Sequence, residues 1–171
     1  GVASVSNAHA NEGDPLVFDV SLGGVSSKAT TVVLALADGS AKAGSDFQPA
    51  MQVSFDGGNS FTAVNGTSVS VPAGASAFKV RVASIEDNAP ESSESFKLTA
   101  STGNSTASGT GTICDDDFAP TVRTVSSPTA QEGNALDFDV TLSGAAPADT
   151  RIDFAFNDGS AKAGVDFQAS P

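Results

Sequence analysis

The sequence predicts an all-β protein, an immunoglobulin-like antiparallel β-sandwich arranged as a tandem repeat. Three observations predict it. Short stretches with two-residue apolar alternation or β-branched enrichment recur about every ten residues, with turn residues between them. No segment sustains a 3.6-residue apolar period over three turns, so helix is nearly absent. The chain also repeats itself: residues 11–48 align without a gap on 131–168, with about half of the positions identical. The period is about 120 residues, one immunoglobulin-like domain per repeat.

In chain order the strands are LVFDVSL (16–22), TTVVLALA (30–37), TSVSV (67–71), AFKVRVAS (77–84) and ESFKLTAS (94–101), with GTGTI (109–113) as the last. MQVSFDGGNSFTAV (51–64) reads as an extra hairpin. Asp38-Gly39, Asp56-Gly57-Gly58, Asn65-Gly66 and Pro72-Ala73-Gly74 mark the turns. Eleven phenylalanines, with no Trp or Tyr, are the bulky core anchors of a chain otherwise rich in Gly, Ser, Thr, Ala and Val. The boundary falls at Asp115-Asp116-Asp117-Phe118-Ala119-Pro120. Residues 1–117 are thus expected to form one complete sandwich, and 118–171 the N-terminal part of a second. That part stops before the counterparts of the strands near Val69, Phe78 and Phe96, leaving open edges and an uncovered apolar face. A longer tandem array, or completion by a neighbouring copy in a filament, is the expected context.

Twenty acidic residues against eight basic ones give a net charge of −12. That balance repels phosphate backbones and anionic lipid heads, which excludes a nucleic-acid partner and a purely electrostatic membrane binder. No apolar run approaches the roughly 20 residues of a membrane helix, so direct insertion is not expected. The chain opens on GVASVSNAHANEG with no basic and apolar leader, so any export signal is expected to lie outside it or to have been removed. The single cysteine, Cys114, and single histidine, His9, provide neither an internal disulfide nor a zinc cluster. With no nucleophile elbow, no phosphate loop and no aromatic sugar platform, the chain is not expected to be an enzyme.

The acids are concentrated. Glu86, Asp87, Glu91 and Glu94 lie in or beside the loop IEDNAPESSE, and Asp115, Asp116 and Asp117 follow the last strand. In an immunoglobulin-like sandwich these segments reach the same end, and so do Glu12 and Asp46. Nine carboxylates at one pole repel one another, at about 1 kcal/mol or more per close pair even when partly solvated. A hard cation with six to eight oxygen ligands resolves the conflict, and the absence of histidine or thiolate ligands favours Ca²⁺. Glu12 and Asp46 recur as Glu132 and Asp166 in the second unit.

The early Glu12-Gly13, DGSAKAGSDF (38–47), IEDNAPESSESF (85–96) and TICDDD (112–117) together resemble the Calx-beta domains. These are calcium-binding modules of sodium/calcium exchangers and of tandem repeats in bacterial surface adhesins. The resemblance implies that Glu12, Asp46, Glu86, Asp87, Glu91, Glu94, Asp115, Asp116 and Asp117 supply side-chain oxygens, and Ala89 its carbonyl. Asn88 and Ser92 depart from the family, which has acids there. The stretch SFDGGNSFTAVNGTSVSVPAG (54–74) is similar to repeats of giant RTX-type adhesins of Gram-negative bacteria. That branch implies an extracellular, cell-surface spacer whose neighbouring repeats are stiffened by Ca²⁺ at their junctions. A calcium-sensing regulatory module of a cation transporter is the alternative.

Overall fold

The computed structural model describes residues 1–169; Ser170 and Pro171, the end of the predicted second unit, lie outside them. The chain divides into two compact units, Gly1–Phe118 and Ala119–Pro171. Unit 1 contains β1 (Val2–Val5), β2 (Ala8–Asn11), β3 (Pro15–Leu22), β4 (Thr30–Asp38), β5 (Phe47–Ser54), β6 (Thr62–Ala63), β7 (Ser68–Val71), β8 (Ala77–Ser84), β9 (Glu94–Thr102) and β10 (Ser105–Cys114). One sheet has the order β1-β3-β8-β5-β6 and the other β2-β10-β9-β4-β7. This is the immunoglobulin-like sandwich. Among the described residues no helix is long and apolar enough to cross a membrane.

The alternating segments become strands because each has one face to bury. Along β3, Leu16, Phe18, Val20 and Leu22 point inward, and along β8 Phe78, Val80, Val82 and Ser84 do. Phe47 stacks on Phe96 with centroids 4.2 Å apart, and Phe18 meets Phe96 edge-on at 5.9 Å. These three fully or almost fully buried rings fill the layer next to the loops carrying the acids.

Two features add to the sequence expectation. The segment 51–64 does form a hairpin, β5 with the short β6 (Gln52 opposite Ala63), and its first arm is also a strand of the main sheet, with Met51–Ser54 paired to β8. Pro49 obscures that strand, and it lies where the β5–β8 register shifts, between Phe47 and Met51. The short β6 completes the turn back, and Phe61 beside it lies under the Arg81 guanidinium, 4.0 Å from the ring centroid. The N-terminal segment, where no strand is read from the sequence before Leu16, forms β1 and β2, one in each sheet. It crosses over at Ser6-Asn7, where Ser6 Oγ accepts the Asp19 N–H (2.8 Å) and Asn7 Oδ1 accepts the Thr110 N–H (2.9 Å).

Unit 2 contains β11 (Val122–Val125) and β12 (Val140–Leu142), paired antiparallel. It repeats the local geometry of unit 1. The Ser126 N–H donates to the Asp139 carbonyl as Ser6 does to Asp19, and the Lys162 N–H to Asp166 Oδ2 as Lys42 does to Asp46.

Candidate metal centre

Four segments of unit 1 carry the acids, and each is held by specific hydrogen bonds. Glu12 sits in the turn between β2 and β3. Its N–H donates to the Cys114 carbonyl at 3.1 Å, and the Ser84 hydroxyl at the end of β8 donates to the Asp14 carbonyl at 2.6 Å. Gly13 is required there: its φ is +77°, and a Cβ would lie 2.6 Å from a Glu86 carboxylate oxygen. The DGSAKAGSDF segment folds on its own aspartates. Asp38 Oδ1 accepts the Ala43 N–H at 3.1 Å, and Asp46 Oδ2 accepts the Lys42 N–H at 2.5 Å. It is joined to the start of β9 by Ala41 N–H to the Ser95 carbonyl and by Ser95 N–H to Ser40 Oγ, both 2.9 Å. The Ile85 N–H donates to the Asp46 carbonyl at 2.9 Å, which brings the 85–93 loop alongside.

Two carboxylate triads result. Glu12, Asp87 and Asp117 bring one oxygen each within 4.8 Å of one another, and so do Asp46, Glu91 and Glu94. Glu12 Oε2 and Asp117 Oδ2 are buried with no hydrogen-bond partner. An unpartnered buried carboxylate oxygen is costly, and two in one triad mark a place for a positive ligand.

The electrostatics agree. Burial, then the charges of Asp87, Asp115, Glu91 and Glu86, push the Glu12 carboxyl up to about 7. Burial and the neighbouring Asp115, Asp116 and Asp87 push Asp117 upward; burial, Asp116, Asp117, Asp87 and Asp14 do the same to Glu86. Glu94 rises through burial, the Asp46 charge with a hydrogen bond to it, and Glu91, while the Lys42 ammonium acts in the opposite direction. An all-oxygen, strongly anionic donor set fits a hard divalent cation and fits a soft metal poorly.

The other expected ligands lie nearby. Asp115 accepts the Glu91 N–H at 2.9 Å and the Asp117 N–H at 3.0 Å. Asp116 and Glu86 are exposed beside the first triad, and Ala89 is tied to it through its N–H, which donates to Asp87 Oδ1 at 2.7 Å. In unit 2, Glu132 and Asp166 are exposed and join no carboxylate triad among the described residues. Sequence reasoning missed Ser84 and Asp14. The signal for Ser84 was its inward position on β8 just before the acidic loop.

No curated protein matches the chain. Among solved structures, the apo form of the Calx CBD1 domain is 20% identical, with a TM-score of 0.49, 67% of this chain covered and 97% of that one. The calcium binding domain CBD12 of CALX1.1 is 21% identical with a TM-score of 0.48, over 71% of this chain and 47% of that one. The Calx CBD2 domain is 9% identical with a TM-score of 0.45, over 66% and 85%. The sequence model of the Calx-beta domain matches residues 4–117 and again 115–171, so that both units are accounted for, and the chain belongs to the Calx-beta domain family.

Proposed function

We propose that unit 1 is a calcium-binding structural module in which Glu12, Asp87 and Asp117 hold one Ca²⁺ and Asp46, Glu91 and Glu94 a second. The observation that carries this reading is the pair of carboxylate triads, one with two buried oxygens that no hydrogen bond satisfies. Bound ions would neutralise the repulsion that raises the Glu12, Glu86, Glu94 and Asp117 carboxyls and supply the missing partners. Asp117 stands next to Phe118, the last residue of unit 1. An ion there fixes the chain at its exit toward the following repeat, which suits an extracellular spacer of a bacterial cell-surface adhesin or filament with neighbouring repeats as its partners. In that setting the module is a binding element and not an enzyme, and sites that fill at about 10⁻⁴ to 10⁻³ M match extracellular calcium.

The test is the melting temperature of the chain in millimolar Ca²⁺, in Mg²⁺ and in chelator, with calorimetric titration. A tenfold excess over Kd stabilises by about 1.4 kcal/mol per site, so with two sites a rise of about 10 °C specific to calcium is expected. Identical melts would refute calcium binding. Small-angle scattering in calcium and in chelator tests the spacer role: the maximum dimension is expected to be better defined and longer with calcium. Half-saturation at micromolar calcium would instead indicate the transporter-type sensing module.

A further inference from the structure

We propose that Asn65 is a site of spontaneous covalent modification: its side-chain amide is lost to the main-chain nitrogen of Gly66, leaving aspartate or isoaspartate where the chain crosses between the two sheets of unit 1. The proposal does not depend on the cation reading. Gly66 has a φ of +73°, and no atom lies within 4 Å of where its Cβ would stand. Asn65 is exposed, and among the described residues neither its side chain nor the Gly66 N–H makes a hydrogen bond. Other asparagines are guarded. The N–H that follows Asn11 is held by the Cys114 carbonyl at 3.1 Å, the one after Asn59 by Asp56 Oδ1 at 3.0 Å, and the one after Asn88 by Asp87 Oδ1 at 2.7 Å. Asn59 is guarded twice, since its own Nδ2 donates to the Asp56 carbonyl at 2.8 Å. A nitrogen whose N–H already points at an acceptor must give up that bond before it can turn on the neighbouring side chain.

In the reaction the Gly66 nitrogen attacks Asn65 Cγ. A C–N bond forms, the Cγ–Nδ2 bond breaks, and ammonia leaves with the Gly66 proton. Water then opens the cyclic imide at either carbonyl, giving aspartate or isoaspartate and one more negative charge. Isoaspartate also adds an atom to the main chain, and there is little slack to take it up. The Val64 N–H donates to the Met51 carbonyl at 2.9 Å in one sheet, and the Thr67 carbonyl accepts the Leu34 N–H at 2.8 Å in the other. Only Asn65 and Gly66 lie between these anchors. β6 is paired at two residues and β7 at four, so the added length loosens the Val64 bond and β6 while β7 holds.

The experiment ages the whole chain in mildly alkaline buffer, native and in urea, and follows it by peptide mass spectrometry. Trypsin cuts after Lys42 and Lys79 and nowhere between, so Asn59 and Asn65 are compared within one peptide. The native chain is expected to show the mass gain of an amide replaced by an acid at Asn65 first, with isoaspartate identified by methyltransferase labelling. The ratio of the Asn65 rate to the Asn59 rate is expected to be larger by about tenfold or more in the native chain than in urea, where Asn59 loses its hydrogen bonds. Asn65→Gln, whose longer side chain closes the ring far more slowly, is expected to leave this position unchanged. In the aged wild type the Val64 amide is expected to exchange faster than in fresh protein, while the amides of β7 keep their rate. Equal rates at the two asparagines in the native chain, or a ratio that unfolding does not change, overturn the assignment. Isoaspartate at position 65 with the Val64 amide still at its fresh rate overturns the loosening of β6.

Discussion

Glu12 is the residue at which the fold and the site conflict most directly. Its turn is fixed by a main-chain bond to Cys114 and by Ser84, and one of its carboxylate oxygens is buried without a partner. With its carboxyl raised from 4.5 to about 7, the folded chain keeps a proton over an interval in which the unfolded chain has lost it. Stability of the ion-free protein therefore falls as pH rises from about 4.5 to 7, and the upward shifts of Glu86, Glu94 and Asp117 act with the same sign. Asp56 has the opposite sign. Ser54 and Ser60 hydrogen-bond its carboxylate and lower its pKa, so its contribution is lost only in strong acid. In chelator the melting temperature is expected to be lower at pH 7.5 than at pH 5.5. Glu12→Gln is expected to raise the pH 7.5 value and flatten the slope, while reducing the gain from calcium. A chelator melt that is level between these pH values would remove Glu12 from this role.

Among the strands, β10 shows how tightly the sandwich closes behind the site. Gly111 pairs with Ala8 of β2 and Phe96 of β9, and a Cβ there would lie 2.7 Å from the Phe96 ring and 2.8 Å from that of Phe18. Gly111→Ala is expected to lower stability by about 1–3 kcal/mol through overpacking. Gly103→Ala, in the turn before β10 with nothing within 4 Å, is expected to be near neutral. Urea unfolding with unchanged slope measures both, and equal midpoints would show that the ring layer yields without cost. This packing explains which elements could be read in advance. β3, β8 and β9 bury one face in alternation, so the two-residue apolar pattern alone reveals them. β1 and β2 depend on a crossover held by Asp19 and Thr110, residues far along the chain, and β5 is interrupted by Pro49 at a register shift. The acids of the site were equally visible, because their clustering is a local property. Their division into two triads was not, since it is set by contacts such as Ser84 to Asp14 and Glu91 to Asp115 that span 70 and 24 residues.

At the scale of the molecule, the two units carry the same pattern to different ends. Leu16, Phe18 and Leu34 are 0% exposed in unit 1, where β8, β9 and β10 complete the two sheets. Their repeat counterparts Leu136, Phe138 and Phe154 are 47%, 50% and 66% exposed, because the described part of unit 2 offers only the β11–β12 pair. Equivalent apolar positions are thus core in one unit and surface in the other, and the difference lies in which strands are there to cover them. Chymotrypsin, which cuts after accessible phenylalanines, reads this directly. In calcium, early cleavage is expected after Phe118, Phe138, Phe154 and Phe156, and after Phe55 in unit 1, all exposed, while Phe18, Phe47 and Phe96 stay intact. Unit 1 must open globally before its buried rings reach the protease, whereas unit 2 needs only local fluctuation. If Phe138 and Phe154 prove as resistant as Phe18 and Phe96 in dilute solution, the apolar face is already covered by a second copy of the chain. Loss of that protection on further dilution would then measure how strongly the copies hold each other.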